Sequence, residues 1–275
     1  MNANKALWEK GDFTRIASYM RESGDGLVST LGVKPALRVL DLGCGDGTTA
    51  VPLARRGADV LGVDIARNLV DAGNARATAM GLSNLRFEEG DACDLKNVAD
   101  HSFDLTVSVF GAMFAPKPFE VAQQMVRVTK PGGRIVMGNW IPNDPTSFVS
   151  QLLKISSAFT PPPPEGFISP MLWGVESHIL ERFGKAGVPA DRVSMTRDTF
   201  VFTSTSEMPR RSPADFIESF RTFYGPTMNA YEAAEKAGRV DELHAQLVDL
   251  AHAQNKAADG STHIPATFMR ITIHL

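Results

Sequence analysis

Short apolar runs alternate with segments of helical composition through the first half of the chain. Runs typical of buried strands lie at 39–42, 58–64, 85–89, 103–110 and 134–137. Helices are predicted between several of them, at 48–56, 66–80 and 118–129. This alternation predicts right-handed βαβ units and a parallel sheet, and hence an α/β fold.

The second half continues with longer helices and two further strands. Helices are predicted at 148–159, 175–186, 213–223 and 227–254, and a long strand at 192–203. The chain ends in 266–275, where Met269, Ile271 and Ile273 alternate with polar neighbours, which is typical of a strand with two different faces. Lys130 to Gly133 predicts a turn before the fifth strand, because its proline and glycines favour turn geometry.

Two segments depart from this regular pattern. Residues 5–32 carry apolar side chains at loosely helical spacing, and Ser23 to Gly26 interrupts them, so two short helices are predicted. Residues 141–173 are rich in Pro, Phe and Met, and four consecutive prolines at 161–164 favour extended polyproline structure. That segment is interpreted as an insertion that covers the substrate or, alternatively, as a face of a homodimer.

The glycines at 43, 45 and 47 stand between the first strand and the first helix of the alternating pattern. Glycines permit positive φ values and a close ligand approach, and a helix N-terminus offers unpaired N–H groups. A nucleotide-like ligand is therefore expected there. The spacing differs from the dinucleotide fingerprint Gly-x-Gly-x-x-Gly, because Thr48 occupies the place of its third glycine.

Gly-x-Gly-x-Gly with Asp41 two residues before it resembles motif I of class I S-adenosylmethionine (SAM) methyltransferases. The likeness is strongest to the small-molecule branch related to ubiquinone and menaquinone C-methyltransferases. It implies a Rossmann-like three-layer sandwich with a seven-stranded, mostly parallel sheet, an antiparallel last strand and a helical lid or insertion. A single domain over 1–275 is predicted: lid helices at 1–34, a SAM-binding core at 35–140, the insertion at 141–173 and a C-terminal part at 174–275.

Two acidic positions later in the core extend the resemblance. Asp64 ends the second strand near the roughly 20-residue offset at which a carboxylate reaches a ribose, although a strand-end aspartate can instead cap the next helix. SAM and NAD sites share this feature. In the resembled family an Asp-Ala pair after the third strand reads adenine, and that role falls on Asp91 and Ala92.

The resemblance implies a set of site residues. The predicted cofactor-binding residues are Asp41, Gly43, Cys44, Gly45, Gly47, Asp64, Ile65, Asp91, Ala92, Ser108 and Val109. Apolar residues after the fourth strand and before the 175–186 helix are interpreted as substrate-lining, with core packing as the alternative: Phe110, Met113, Phe114 and Trp173. The Asn/Asp-Pro-Pro-aromatic motif of nucleobase amino-methyltransferases does not occur at Ser108 to Gly111.

Catalytic residues are less well indicated. Methyl transfer from a sulfonium needs alignment and exclusion of water more than a base. His178, which follows Trp173 near the insertion, is the candidate if a base is used. Ser108 and Asn139 occupy the strand ends where catechol-type enzymes carry acidic metal ligands, so no metal is predicted.

Composition restricts the partners. The 275 residues are 43% hydrophobic with a net charge of −3 and scattered basic residues, which argues against nucleic acid. The two cysteines form no CxxC pair, and no apolar run is long enough for a membrane span, so a cytoplasmic protein is predicted.

The function predicted is SAM-dependent methylation of a small aromatic or apolar metabolite, with carbon, oxygen and nitrogen acceptors all open. Two alternatives remain at this point: an NAD-dependent oxidoreductase, and a non-catalytic SAM-binding protein with the same fold.

Overall fold

One mixed sheet of seven strands organises the chain. The computed structural model describes residues 3–205, 208 and 212–275. The strand order is β3-β2-β1-β4-β5-β7-β6. The strands are β1 (Arg38–Leu42), β2 (Asp59–Asp64), β3 (Leu85–Glu89), β4 (Phe103–Val109), β5 (Thr129–Trp140), β6 (Val193–Thr203) and β7 (His263–His274).

The direction of the strands confirms the predicted fold class. β1 to β5 pair in parallel, and β7 lies between β5 and β6 and runs antiparallel to both. This is the Rossmann-like α/β arrangement with an antiparallel last strand. The chain leaves β1 toward β2 and β3 on one side and reaches β4 and β5 on the other, so the order reverses between β1 and β4, where such sheets bind ligands.

Helices cover the sheet and form an additional helical layer. Among them, α4, α5 and α6 pack on the parallel strands, whereas α7, α9, α10 and α11 pack on one another. The helices are α1 (Ala3–Glu9), α2 (Phe13–Ser18), α3 (Arg21–Ser29), α4 (Ala50–Arg55), α5 (Arg67–Ala79), α6 (Pro118–Val128), α7 (Phe148–Ser157), α8 (Glu176–Lys185), α9 (Pro213–Phe223), α10 (Gly225–Lys236) and α11 (Val240–Gln254).

The Phe87 ring on β3 occupies a slot made by three glycines. A Cβ atom at Gly47, Gly62 or Gly73 would lie 2.7–2.8 Å from this ring. These glycines belong to the loop after β1, to β2 and to α5. Because real Cβ atoms do not approach so closely, the slot requires glycine at all three positions.

The N-terminal segment contains three short helices, not the two that were predicted. α3 runs through Gly24 and Gly26, which the sequence suggested would interrupt it. A Cβ at Gly24 would lie 2.6 Å from Thr48, so the glycine allows α3 to pack directly on the turn after β1. Tertiary packing outweighs the low helix propensity of glycine here.

Two other boundaries differ from the predictions. The single helix predicted over 227–254 is divided into α10 and α11, because Gly238 adopts a φ of +67° just after α10. The turn predicted at Lys130 to Gly133 lies inside β5, where the register shifts between the pairs Phe103–Thr129 and Leu105–Arg134. It is therefore an irregularity within a strand, with Gly132 at a φ of +78°.

A search of the described part of the chain found no helix with the length and apolar character required to cross a membrane.

Candidate active site

A deep cavity lies at the carboxyl ends of β1, β2 and β4, where the strand order reverses. The empty space within it, including the open solvent at its mouth, is about 1080 Å³. The cavity is formed by the glycine loop, by the segments after β2, β3 and β4, by residues of α1, α2, α7 and α9, and by Met20 just before α3.

The glycine loop is fixed to β2 by backbone hydrogen bonds. The N–H groups of Gly43 and Cys44 donate to the carbonyl of Val63 at 2.7 and 3.2 Å. Gly45 has a φ of +55°, and a Cβ there would have only the Phe13 ring within 4 Å, at 3.9 Å. The loop backbone at Gly45 thus faces open space in the cavity.

Gly43 and Gly111 lie backbone to backbone at the centre of the site. A Cβ on Gly111 would stand 2.1 Å from the Gly43 carbonyl oxygen, and a Cβ on Gly43 would stand 2.7 Å from Gly111. Gly43 also has a φ of +69°. The ends of β1 and β4 can meet this closely only because neither residue has a side chain.

Asp64 joins the end of β2 to the glycine loop. Its carboxylate accepts from the Gly45 N–H at 2.8 Å and from the Ala66 N–H at 2.9 Å. Burial raises the pKa of Asp64, and these backbone N–H groups lower it in part. Asp64 therefore lines the cavity and also bonds the backbone just before α5.

Asp41 is sealed beneath the loop, on β1. Among the described residues, neither of its carboxylate oxygens has a hydrogen-bond partner of ordinary geometry. Burial raises the pKa of Asp41 to about 7; the nearby Thr49 hydroxyl and Ala50 N–H lower it, and the charge of Asp64 raises it further. An unpartnered buried carboxylate next to a ligand cavity is a position prepared for a proton or for a cationic group.

Asp46 anchors the loop to the surrounding helices. Its buried carboxylate pairs with Arg21 of α3, and the Arg21 guanidinium also donates to the Thr48 hydroxyl at 2.7 Å. Arg76 of α5 donates to the Asp46 carbonyl at 2.8 Å. The loop is therefore held by one arginine from the N-terminal helices and one from the core.

The segment after β3 brings Gly90, Asp91 and Ala92 to the cavity wall. The Gly90 N–H donates to the Asp64 carbonyl at 2.9 Å, which places this turn beside the end of β2. One Asp91 carboxylate oxygen accepts from the Cys93 N–H at 2.9 Å. The carboxylate is oriented by its own turn and stands on the same wall as Asp64.

Ser108 and Phe110 shape the end of β4 in different ways. The buried Ser108 hydroxyl donates to the Leu42 carbonyl at 2.6 Å and accepts from the Ala112 N–H at 2.9 Å, so it ties β4 to β1 and does not line the cavity. Phe110 has a φ of +58°, a rare conformation for an aromatic residue, and its ring stacks on Trp140 with centroids 3.6 Å apart. Phe110 does line the cavity.

Aromatic rings from separate segments form one wall of the cavity, which we call the aromatic roof: Trp8, Phe13, Phe114 and Tyr224. The Trp8 ring centroid lies 6.1, 5.0 and 5.8 Å from those of Phe13, Phe114 and Tyr224. These residues come from α1, α2, the short helix after β4 and the α9–α10 junction. Residues of α1 and α2 therefore form part of this wall of the cavity.

Charge is distributed unevenly around the cavity. The acidic residues of its lining, Asp46, Asp64 and Asp91, all belong to the glycine loop or to the ends of β2 and β3. Among the described residues, no lysine, arginine or histidine lines it. The aromatic side is apolar, with Tyr224 and Asn4 as its hydrogen-bonding side chains apart from the indole N–H groups of Trp8 and Trp140.

The structure distributes the remaining predicted residues as follows. Cys44, Ile65 and Val109 line the cavity, whereas Asp41 and Gly47 lie behind it. Met113 and Trp173, interpreted as substrate-lining, do not line the cavity: Met113 is buried in the hydrophobic core, and Trp173 packs on Arg182 and Phe183 of α8. His178 lies on α8 outside the cavity lining, 3.9 Å from Glu181.

Several lining residues were not identified from the sequence. Thr48 and Thr49 belong to the glycine turn and could have been found by extending that motif. Trp140, Val149, Phe202, Phe220 and Tyr224 come from distant segments that the fold brings together. No local sequence signal distinguishes them from ordinary core residues.

Comparisons with known proteins agree with this geometry. Residues 39–133, from β1 into β5, match the family described as "Methyltransferase domain". A Mycobacterium tuberculosis relative, "Uncharacterized protein Rv1403c", is 33% identical over 251 residues, which cover 90% of this chain and 86% of the relative. A demethylmenaquinone methyltransferase of Paenarthrobacter aurescens is 36% identical over 114 residues, 42% of this chain and 43% of the relative.

The chain belongs to the class I SAM-dependent methyltransferases. The crystal structure of a geranyl diphosphate C-methyltransferase from Streptomyces coelicolor, in complex with Mg²⁺, geranyl diphosphate and S-adenosylhomocysteine, shares the fold with a TM-score of 0.52. The identity is 18%, and the likeness covers 92% of this chain and 77% of that one.

The residues of this methyltransferase fit its cofactor SAM. The site combines open backbone at Gly45, a carboxylate at the end of each of two neighbouring strands, and an unpartnered buried carboxylate at Asp41. Hydroxyl and amine groups of a nucleoside are hydrogen-bond donors that carboxylates accept, and a buried carboxylate favours an adjacent cation. The carboxylates in and behind the cavity lining therefore suit a cationic nucleoside better than an anionic one.

Both cysteines of the methyltransferase are free. The described residues contain no group of three or more His, Cys, Asp or Glu side chains placed to hold a metal ion.

Proposed function

We propose that this methyltransferase transfers the methyl group of SAM to a small aromatic or apolar metabolite that binds beneath the aromatic roof. The observation that carries the proposal is the division of one cavity into two walls. One carries the carboxylates of Asp46, Asp64 and Asp91, and we call it the cofactor wall; the other consists of aromatic rings. A polar nucleoside and an apolar acceptor would occupy the two sides, with the Gly43–Gly111 contact between them.

The cofactor-binding roles predicted from the sequence follow this division. We assign the ribose hydroxyls to Asp64 and the adenine amine to Asp91, with Ala92 beside it, because these residues line one wall in sequence order along β2 and β3. Gly43, Cys44, Gly45 and Ile65 supply backbone around the nucleoside. Asp41, Gly47 and Ser108 support the loop from behind, so we assign them structural or electrostatic roles in place of direct contact.

When bound, SAM would supply an electrophilic methyl group on a sulfonium to an acceptor atom of the substrate, with S-adenosylhomocysteine as the leaving group. The chain aligns the two molecules and excludes water through the aromatic roof. All six histidines are described and none lines the cavity, so we assign no histidine as a general base.

The scattered basic residues and the enclosed cavity support a small molecule over nucleic acid, whose phosphates require a basic surface. Membership of the methyltransferase family argues against the alternative of an NAD-dependent oxidoreductase. A non-catalytic SAM-binding protein is an outcome of the following test.

The test is calorimetric titration with S-adenosylhomocysteine, SAM and NAD, followed by transfer of a labelled methyl group to a panel of neutral aromatic compounds. Asp64→Asn is the site variant, and Asp59→Asn, an exposed aspartate on the same strand, is its control. We expect both SAM and S-adenosylhomocysteine to bind, a loss of about 10-fold or more in Asp64→Asn, and no change in Asp59→Asn.

Circular dichroism and the unfolding midpoint of both variants separate loss of binding from loss of folding. Binding without methylation of any acceptor would contradict the proposed activity and favour the non-catalytic protein. Binding of NAD in preference to SAM would contradict the assignment of the cofactor wall.

A further inference from the structure

Tyr224 is the one residue of the aromatic roof that carries a hydroxyl. It lies at the junction of α9 and α10 and is 4% exposed. Its ring contacts Trp8, Phe13 and Phe220 with centroid distances of 5.8, 6.1 and 5.1 Å. These contacts fix the position of the ring from three sides, so the hydroxyl has a defined place in the cavity wall.

The Tyr224 hydroxyl has no hydrogen-bond partner among the described residues. It is not among the partnerless polar atoms that are fully sealed in the interior, and Tyr224 lines the cavity, so the hydroxyl is reached from the cavity. Tyr231 differs in this respect, because its hydroxyl pairs with Nδ1 of His244 at 2.8 Å. Buried tyrosine hydroxyls usually have a partner, so the free one at Tyr224 calls for one from a ligand.

Burial raises the pKa of Tyr224, and no other group acts on it. The phenol is therefore neutral at physiological pH and acts as a hydrogen-bond donor, not as a base.

The charges around the roof restrict the ligand further. A phosphate or carboxylate would be buried without a cation, because no basic side chain lines the cavity in the described part of the chain. A cationic substrate would find aromatic faces, but the carboxylates lie on the cofactor wall, where SAM already brings positive charge. A neutral molecule avoids both costs.

We propose that the substrate is a neutral aromatic or apolar molecule that carries an oxygen or nitrogen atom able to accept a hydrogen bond. Tyr224 is a positioning residue that donates a hydrogen bond to that atom. This proposal rests on the function proposed above. The hydrogen bond would fix the orientation of the substrate relative to the methyl group of SAM, while the rest of the aromatic roof supplies shape and apolar contact.

The experiment uses three probes of similar shape, titrated into the full-length protein saturated with S-adenosylhomocysteine. 2-Acetylnaphthalene has a carbonyl acceptor, 2-isopropylnaphthalene has the same shape without one, and 2-naphthoate carries a negative charge. The variants are Tyr224→Phe and, as a matched control, Tyr231→Phe, which removes a hydroxyl outside the cavity.

The ratio of the affinities for 2-acetylnaphthalene and 2-isopropylnaphthalene is the readout, because a purely structural role of Tyr224 would affect both probes alike. We expect this ratio to fall about 3- to 10-fold in Tyr224→Phe, the range for one hydrogen bond, and to stay constant in Tyr231→Phe. We also expect 2-naphthoate to bind more weakly than 2-acetylnaphthalene.

An unchanged ratio in Tyr224→Phe would overturn the proposal, as would tightest binding of 2-naphthoate or binding of S-adenosylhomocysteine with no probe bound at all. Failure of S-adenosylhomocysteine to bind the wild-type protein is a separate result, which would contradict the proposed function first and this inference with it.

Discussion

At the scale of single residues, the site contains polar groups without a hydrogen-bond partner and glycines without a side chain. In the described part of the chain, neither the Asp41 carboxylate nor the Tyr224 phenol has a hydrogen-bond partner of ordinary geometry, and Gly43 and Gly111 meet backbone to backbone. Groups of this kind cost stability in the empty protein and are retained where a ligand uses them.

Asp41 makes the stability of the protein pH-dependent. Its pKa is raised from the ordinary 3.8 to about 7, chiefly by burial, so the folded state binds its proton more tightly than the unfolded state. The cost of ionising it is absent below about pH 4, grows as the pH rises, and is complete above pH 7. We expect Asp41→Asn to be more stable than wild type by about 1–3 kcal/mol at pH 8, with little difference at pH 4.5.

Denaturant unfolding at the two pH values measures this difference. Asp59→Asn, which removes an exposed carboxylate, serves as the control. A stabilisation of equal size at both pH values would show that ionisation of Asp41 is not its cause.

Gly111 tests the backbone contact at the centre of the site. Its φ of −102° suits any residue, so Gly111→Ala adds only the clash of a Cβ with the Gly43 carbonyl. We expect a loss of about 2–4 kcal/mol in unfolding free energy. Gly26→Ala is the matched control, because its Cβ would meet nothing within 4 Å inside α3, and we expect it to gain up to about 1 kcal/mol. Similar effects of the two substitutions would contradict the close approach of the loops.

At the scale of elements, the sequence predicted the βαβ core well and the helices around it less well. Five parallel strands follow from apolar runs and their punctuation by glycine and proline, whereas the antiparallel direction of the last strand was implied by the family resemblance. The path of α3 through Gly24 could not be predicted, because it depends on contact with Thr48 across the fold. The gap between α10 and α11 depends on one left-handed glycine, Gly238, in a segment that otherwise has helical composition.

The same distinction applies to the site. The residues of the cofactor wall lie in short motifs at fixed places after strands, so a sequence reveals them. The apolar lining of the cavity also includes Phe202, Phe220 and Tyr224, which come from segments whose pattern is that of any buried helix or strand. Trp173 has the same composition signal and lies in the core, so only the fold separates the two groups.

The link between α3 and the glycine loop is an ion pair, and its removal should be felt at the cofactor. Arg21→Gln leaves the buried Asp46 carboxylate without its nearest cation, with Arg76 Nη1 at 4.0 Å from it. We expect a loss of about 1–3 kcal/mol in unfolding free energy and weaker binding of S-adenosylhomocysteine. Arg15→Gln removes an exposed pair with Asp12 on α2 and should change either quantity little. Equal affinity in wild type and Arg21→Gln would show that the loop keeps its shape without α3.

At the scale of the whole molecule, the N-terminal segment contributes part of the cavity lining. Trp8 of α1, Phe13 and Ile16 of α2, and Met20 just before α3 line it. We expect S-adenosylhomocysteine to slow amide hydrogen exchange across residues 3–29, because these short helices gain contacts when the cavity is filled.

Exchange measured by mass spectrometry with and without the ligand tests this expectation. α11, which packs on α7 and α9, is the internal control and should be unaffected. Uniform slowing over both regions would indicate general stabilisation of the fold, and no slowing over 3–29 would contradict a lid role for these helices.

The contact of Gly43 with Gly111 also bears on how such a protein acquires new substrates. At this contact the cavity is bounded by main chain, and a Cβ added to Gly43 or Gly111 would meet backbone at 2.1–2.7 Å. Single substitutions of Gly43 or Gly111 are therefore disfavoured in evolution. The aromatic roof is contributed by separate segments, each of which can vary alone. We therefore expect divergence toward new substrates to occur in the roof, while the residues around the methyl donor stay the same.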